Sequence, residues 1–350
     1  MRIGIPREIK TLEGRVGLVP AAAGSLVAAG HEVFVEQGAG RLSGFDDDAY
    51  RRQGVQVLPE PAALYGAAEL IVKVKEPVDP EIGLLESRHL LFSYLHLAAL
   101  PELTRRLCEI GLTAVAFETV TEGQGLPLLA PMSDIAGRLA VQVGTHLLHQ
   151  PSGGKGVLLG GLPSVERGHV VVMGAGHAGG NAARAAAALG AQVTVFDKAP
   201  ARLAAMHAIG DNVTALYPYP RHLAEAVAEA DLLVGAVLVP GARAPHLISR
   251  AQVASMEPGS VIVDIAVDQG GCVETTRPTG YDAPTYVEAG VTHFCVTNMP
   301  GAVPRSASDA LSAALIAYVH RLAGPDWDED PALAAGVNVR DGEVVHPALL

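Results

Sequence analysis

Two groups of residues in this 350-residue chain have types and spacings suited to chemistry. The first is the run Gly174, Ala175, Gly176, His177, Ala178, Gly179, set between the valine-rich HVVVM and an alanine-rich stretch. A glycine turn between a strand and a helix lets backbone approach a pyrophosphate. The unpaired N–H groups at the helix start favour its charge. Gly174 would permit the tight turn, Gly176 the approach, and Gly179 close packing of helix on strand. His177 and Ala178 fall beside the pyrophosphate, away from the nicotinamide, and His177 reads as a turn residue rather than a base. Asp197 closes the next strand at about the ~20-residue spacing where a carboxylate accepts hydrogen bonds from the adenosine ribose. It would repel a 2′-phosphate, which makes NAD the expected cofactor. Lys198 and Arg202 beside it are basic enough to tolerate that phosphate. The bare glycine pattern also occurs as a structural turn; the flanking strand, helix and aspartate carry the nucleotide reading.

The second group is scattered in sequence but shares a position, since each member closes or follows an apolar run. Arg15 lies in EGRVGLVP, after the first such run. Its guanidinium fork suits a carboxylate, although alone it reads as a surface arginine. Lys73 and Lys75 lie in IVKVKEP, where strand alternation would put both on one face. An ammonium there is costly to bury without a partner. Lys75, nearer the carboxyl end, is better placed for a site, and Lys73 reads as solvated or paired. His96 ends LLFSYLH and reads either as a satisfied core histidine or as a group exchanging protons near neutral pH. Asp268 ends VIVDIAVD before a glycine pair, where a ligand crevice would open. Asp264, inside the same run, would need hydrogen-bond partners.

The elements that position these residues alternate β-branched runs with Ala/Leu-rich helical runs, the pattern of parallel sheets with crossover helices. RIGIP reads as a strand, PAAAGSLVAAG as a helix starting at Pro20 and ending at Gly30, and HEVFVEQG as the next strand. Strands follow at ELIVKVKEP, HLLFSYLHL and TAVAFETV, then a long helix at PMSDIAGRLAVQVGTHLLHQ. PSGGKGVLLGGLPSVERG reads as loop or short hairpin. Strands resume at HVVVM, QVTVF, DLLVGAV, SVIVDIAVD and THFCVTN, and a further long helix covers 305–322. The expected fold is α/β. It comprises two Rossmann-like domains with mostly parallel sheets, joined by long helices around an interdomain cleft. Residues 1–127 would form a substrate domain to which 306–350 returns, and residues 128–305 an NAD-binding domain.

Bulk properties agree. A chain of this length suits about two domains. The 39 glycines and the Ala/Val/Leu excess favour close packing of helix on sheet. A net charge of −12 repels phosphate backbones and argues against a nucleic-acid partner. Cys108, Cys272 and Cys295 are odd in number and lack CxxC or metal-ligand spacing, as expected of reduced thiols in a protein without a metal site. MRIGIPREIK is unlike a signal peptide, and no apolar run has membrane-spanning length, so the expectation is a cytoplasmic protein with no membrane partner.

Taken together, MRIGIPREIK…EGRVGLVP, VKVKEP, LFSYLHLA, LPLLAPMSDIAGRLA, GGLPSVERGHVVVMGAGHAG, GAVLVPGARAP, VDIAVDQGGC and VTNMPGAVPR resemble the alanine dehydrogenase family in order and spacing. The resemblance implies oxidative deamination of L-alanine by NAD to pyruvate and ammonium, and the reverse reaction. It implies Arg15 and Lys75 as ligands of the substrate carboxylate and carbonyl, His96 as principal acid/base, and Asp268 as its assistant with water and protons. It implies an NAD site lined by Ser133, the glycine turn, Asp197, Arg202, Val237, Leu238, Ile265, Ala266, Val267, Asp268, Arg277, Val296, Thr297, Asn298 and Met299. The family also implies a homohexamer. Two segments depart from its pattern: SASDALSAALIAY is less rich in Thr and Asn, and YPYPRHLAEA carries Pro218 and Tyr219 where a small serine is common. Three alternatives stay open. They are a transhydrogenase-like NAD(H)-binding component, a non-catalytic NAD-binding module, and a dehydrogenase of another small amino acid such as glycine or serine.

Overall fold

The β-branched runs form fifteen strands in the computed structural model, which describes residues 1–123, 125–237 and 246–350. They are β1 (Arg2–Ile5), β2 (Glu32–Glu36), β3 (Gln56–Leu58), β4 (Leu70–Val72), β5 (Leu90–Ser93), β6 (Thr113–Ala116), β7 (His169–Met173) and β8 (Gln192–Phe196). The remainder are β9 (Val213–Leu216), β10 (Leu232–Gly235), β11 (Val261–Asp264), β12 (Thr285–Glu288), β13 (Val291–Phe294), β14 (Val337–Arg340) and β15 (Glu343–Val344). Contacts divide the chain into a first unit, residues 1–132 with 301–350, and a second unit, residues 133–300.

The first unit holds one sheet in the order β15-β14-β6-β5-β4-β1-β2-β3. Pairing is parallel from β3 through β6 and antiparallel at β14 and β15. The second unit holds β12-β13-β11-β10-β7-β8-β9, antiparallel only between β12 and β13. Both parallel cores therefore have the doubly wound Rossmann order, in which the chain reverses direction beside its first strand. In such sheets ligands bind outside the carboxyl ends at that reversal, between β1 and β4 in one unit and between β7 and β10 in the other. Central strands buried on both faces read as continuous apolar runs. Ile3, Ile5, Leu70 to Val72 and Leu91 have no exposed surface, nor do Val170 to Val172 and Val261 to Val263.

Pro20 opens a helix at Pro20–Ala28, and Gly30 takes the left-handed turn beyond it. The long segments form helices at Ala130–Leu147 and Pro304–Leu322. The second of these belongs to the first unit, where Ser308 and Ser312 accept the backbone N–H groups of Val16 and Val19 at 2.9 and 3.0 Å. Those serines of SASDALS thus clamp the loop that carries Arg15. Beyond Gly324, where no element is evident in the sequence, GVNVR adds β14 to the edge of the sheet beside β6. Its short alternation gains a partner only once that edge exists.

Candidate active site

Arg15, Lys75 and His96 follow β1, β4 and β5 at the carboxyl edge of the first sheet. Arg15 is 2% exposed, which rules out the surface reading. Its Nε and Nη2 donate to the two oxygens of Glu13 at 2.7 and 2.6 Å, and Nη1 meets Met132 Sδ at 3.3 Å. Burial opposes its charge, but the Glu13 carboxylate outweighs that and holds the guanidinium firmly protonated. Lys75 is largely buried, and its ammonium lies 3.9 Å from Glu76, which Lys10 also pairs with. Burial pushes the Lys75 pKa below the ordinary lysine value; Glu76 and Glu13 oppose this, and Arg15 and Lys10 add to it. Arg15, Lys75 and Lys10 thus converge here, each already set against a carboxylate, and Arg15 and Lys75 are the two cations that follow the sheet edge and suit a small anion.

Lys73 and Lys75 do not share a strand face, because β4 stops at Val72. The ladder runs on through Lys73 N to Phe92 O and Tyr94 N to Val74 O, but Glu8 takes the N–H of Val74 and bends the chain away. Lys73 is paired and fully buried between Glu8 and Glu81.

His96 lies beyond β5 with 45% of its side chain exposed, so the core-histidine reading fails. Its φ is +50°, a left-handed conformation rare for a residue with a side chain. Glu118, after β6, explains why this holds: its carboxylate accepts the backbone N–H groups of both Leu95 and His96. The same carboxylate lies 3.9 Å from His96 Nδ1. Tyr94 stacks near-parallel to the imidazole with ring centres 6.1 Å apart, and its hydroxyl donates to Leu128 O at 2.6 Å. Burial raises the Tyr94 pKa, so it stays a neutral donor. Sequence reading missed Glu118; a lone acid at the end of TAVAFE carries no spacing signal.

In the second unit the Rossmann turn has the geometry a dinucleotide requires. Gly174 has φ +93°, and a Cβ at Gly179 would collide with the Gly174 carbonyl. A Cβ at Gly176 would meet nothing within 4 Å; that open face is the approach a pyrophosphate needs. The helix His177–Ala188 then presents its N-terminus. Asp197 accepts Ala175 N at 2.7 Å and Ala199 N at 2.8 Å, and Arg202 Nη1 lies 3.7 Å away. These residues fit a nicotinamide dinucleotide. His177 Nδ1 lies 3.4 Å from Asp134, which also accepts from Asn181 at 2.8 Å. That links the helix start holding Ser133 to the turn, a contact that sequence reading did not find.

The other implied cofactor residues that the structure describes follow strands of the second sheet. Val237 follows β10; Leu238 lies outside the described residues. Ile265 to Asp268 follow β11 in a loop bracketed by buried Asp264, which accepts from Ala266 N and Cys272 N at 3.0 Å each and from Thr276 Oγ1 at 2.8 Å. Asp264 therefore has the partners its burial demands, and Asp268 stands exposed on the loop it shapes. Arg277 lies over the Tyr286 ring at 4.1 Å. Val296 to Met299 follow β13, with Asn298 at φ +60° and Met299 O accepting from Tyr281 at 2.8 Å. The structure thus divides the candidates: Arg15, Lys75 and His96 stand in the first unit, Asp268 and the cofactor residues in the second.

Two doubly wound units, one bearing a dinucleotide turn and the other two cations and an exposed histidine along one sheet edge, define an α/β protein of the nicotinamide-dinucleotide-binding oxidoreductase class. The chain belongs to the alanine dehydrogenase/PNT family, whose N-terminal and C-terminal domain models match residues 4–136 and 140–347. It is 47% identical to the alanine dehydrogenase of Bacillus subtilis (strain 168), across 100% of this chain and 94% of that protein. A solved L-alanine dehydrogenase is 51% identical with a TM-score of 0.97, covering 100% of this chain and 98% of that one. The transhydrogenase from Sinorhizobium meliloti is 28% identical with a TM-score of 0.87, covering 99% of this chain and 100% of its own.

Proposed function

We propose that the chain is an NAD-dependent alanine dehydrogenase, converting L-alanine, NAD⁺ and water to pyruvate, ammonium, NADH and a proton, and running in reverse. The observation that most supports this is the placement of buried Arg15, part-buried Lys75 and exposed His96 along one sheet edge. Full-length identity near one half to curated alanine dehydrogenases adds to it. The proposal extends, on the family resemblance alone, to a cytoplasmic homohexamer. Residues 1–132 with 301–350 would serve the substrate, and residues 133–300 the cofactor.

Arg15 and Lys75 hold the substrate carboxylate, which orients the α-carbon. The bound nicotinamide supplies the hydride acceptor. His96 takes a proton as water adds to the iminium and returns it to the departing amine, with Asp268 assisting the water. Ser133, the glycine turn, Asp197, Arg202, Val237, Leu238, Ile265 to Asp268, Arg277 and Val296 to Met299 hold the dinucleotide.

The test is oxidation of NADH with pyruvate and ammonium, run beside glyoxylate and NADPH. Rapid ammonium-dependent turnover with pyruvate supports the proposal. NADH binding without turnover would move the reading to a transhydrogenase-like component, to which the likeness to the solved transhydrogenase would then lend support. Faster turnover with glyoxylate would move it to another small amino acid.

Two further outcomes are expected. Asp197→Ala narrows the NADH-over-NADPH preference by about tenfold, since the lost hydrogen bonds and lost repulsion act in one direction; an unchanged ratio of kcat/KM would assign selectivity elsewhere. Because its pKa is depressed, Lys75 loses its charge at lower pH than an ordinary lysine. The pyruvate KM should therefore climb on the alkaline side, and Lys75→Arg should remove that climb. A KM flat with pH in the wild type would sink the assignment.

A further inference from the structure

We propose that the buried Glu8–Lys73–Glu81 cluster is a positioning device that fixes the backbone of Lys75, an inference that rests on the proposed role of Lys75. Lys73 is enclosed, with Nζ 3.2 Å from Glu8 Oε2 and 3.1 Å from Glu81 Oε1, so it has no face for a ligand. Its third bond is 2.9 Å to the carbonyl of Lys75. Glu8 Oε1 accepts Val74 N at 2.6 Å, and Oε2 accepts Lys75 N at a longer 3.4 Å. The peptide groups on both sides of Lys75 are therefore held by the one ion cluster, just where the strand ladder ends. Glu81 is fixed in turn by Val78 N at 3.0 Å and the Tyr65 hydroxyl at 3.3 Å.

Stability is a poor reason for such a cluster. Buried ion pairs are often replaceable by apolar side chains at no loss, because desolvation cancels their attraction. Two carboxylates facing one ammonium also leave an excess negative charge in a dry interior. Accordingly burial, together with Glu81 and Glu13, raises the Glu8 pKa in spite of Lys73. What an apolar substitute would lose is direction: it could not hold the N–H and C=O groups around Lys75. Lys75 sits on a non-repetitive stretch, so nothing regular replaces those bonds.

The experiment compares Glu8→Gln, Lys75→Met and, as a destabilised control from the core, Leu107→Ala, which is fully buried on the helix Pro101–Ile110. The readouts are pyruvate KM, kcat, NADH Kd by fluorescence, and Tm. Glutamine keeps the shape but can satisfy only one of the two sides. The expected result is a pyruvate KM about tenfold higher for Glu8→Gln. NADH Kd and kcat should stay close to wild type, the KM for Lys75→Met should rise further, and Leu107→Ala should lose Tm with KM unmoved. A Glu8→Gln variant that loses Tm like the control while KM stays put, with Lys75→Met still raising KM, overturns the inference and leaves the site reading intact. An unmoved KM in Lys75→Met overturns the site reading and this inference together. Should Glu8→Gln fail to fold, Lys73→Arg decides, since its planar fork keeps the charge but cannot serve Glu8, Glu81 and the Lys75 carbonyl from the single point the ammonium occupies. A raised pyruvate KM then supports the device, and an unmoved one overturns it.

Discussion

His96→Ala is expected to lower kcat for reductive amination by about 10²- to 10⁴-fold, the usual worth of a positioned general acid/base. NADH should bind almost as before, because the dinucleotide turn belongs to the other unit. The backbone at His96 complicates a simple reading of that loss. Its left-handed φ costs any side-chain-bearing residue of order 1–3 kcal/mol, which the Glu118 carboxylate offsets by accepting two N–H groups. Alanine at 96 therefore removes the imidazole and also leaves a strained backbone without the side chain it positioned. His96→Asn separates the two, since asparagine tolerates the left-handed region but exchanges no proton in this range. Equal losses of kcat in both variants, with NADH Kd steady, would assign the effect to proton transfer. A near-normal kcat in His96→Asn would make the residue structural.

How far the sequence could be read depended on whether a signal was local. The glycine turn, its flanking strand and helix, and Asp197 form one contiguous βαβ unit, so residue type and spacing were enough. Arg15, Lys75 and His96 were legible as positions after strands but not as environments. Arg15 is buried because Glu13, two residues away, neutralises it and because Ser308 and Ser312 clamp its loop from nearly three hundred residues downstream. Alternation placed Lys73 beside Lys75 on one face, and the ion cluster with Glu8 and Glu81 separates them. Glu118 and Asp134 escaped notice for the same reason: each acts on a segment brought near only by the sheet order or by helix packing. The edge strands β14 and β15 depend on β6 being in place, so a five-residue alternation could not announce them.

Arg15→Met should raise the pyruvate KM by about 10²-fold or more, as removal of a buried, hydrogen-bonded charge does. It should also destabilise the first unit, by about 3–5 kcal/mol, because it removes the cation with which the 4%-exposed Glu13 pairs. These two effects share a cause in the wild type and can be separated in a double variant. Adding Glu13→Gln replaces a buried carboxylate by a neutral amide, so most of the lost Tm should return. The pyruvate KM should not return, since the amide restores no positive charge. If KM recovers along with Tm, Arg15 serves only to keep Glu13 folded into the loop, and the carboxylate must be bound by Lys75 with some other group. If Tm recovers while KM stays high, the guanidinium itself meets the substrate. Glu13 is then the group that holds it buried and charged before the substrate arrives, since a buried arginine without a carboxylate would meet the full cost of desolvation.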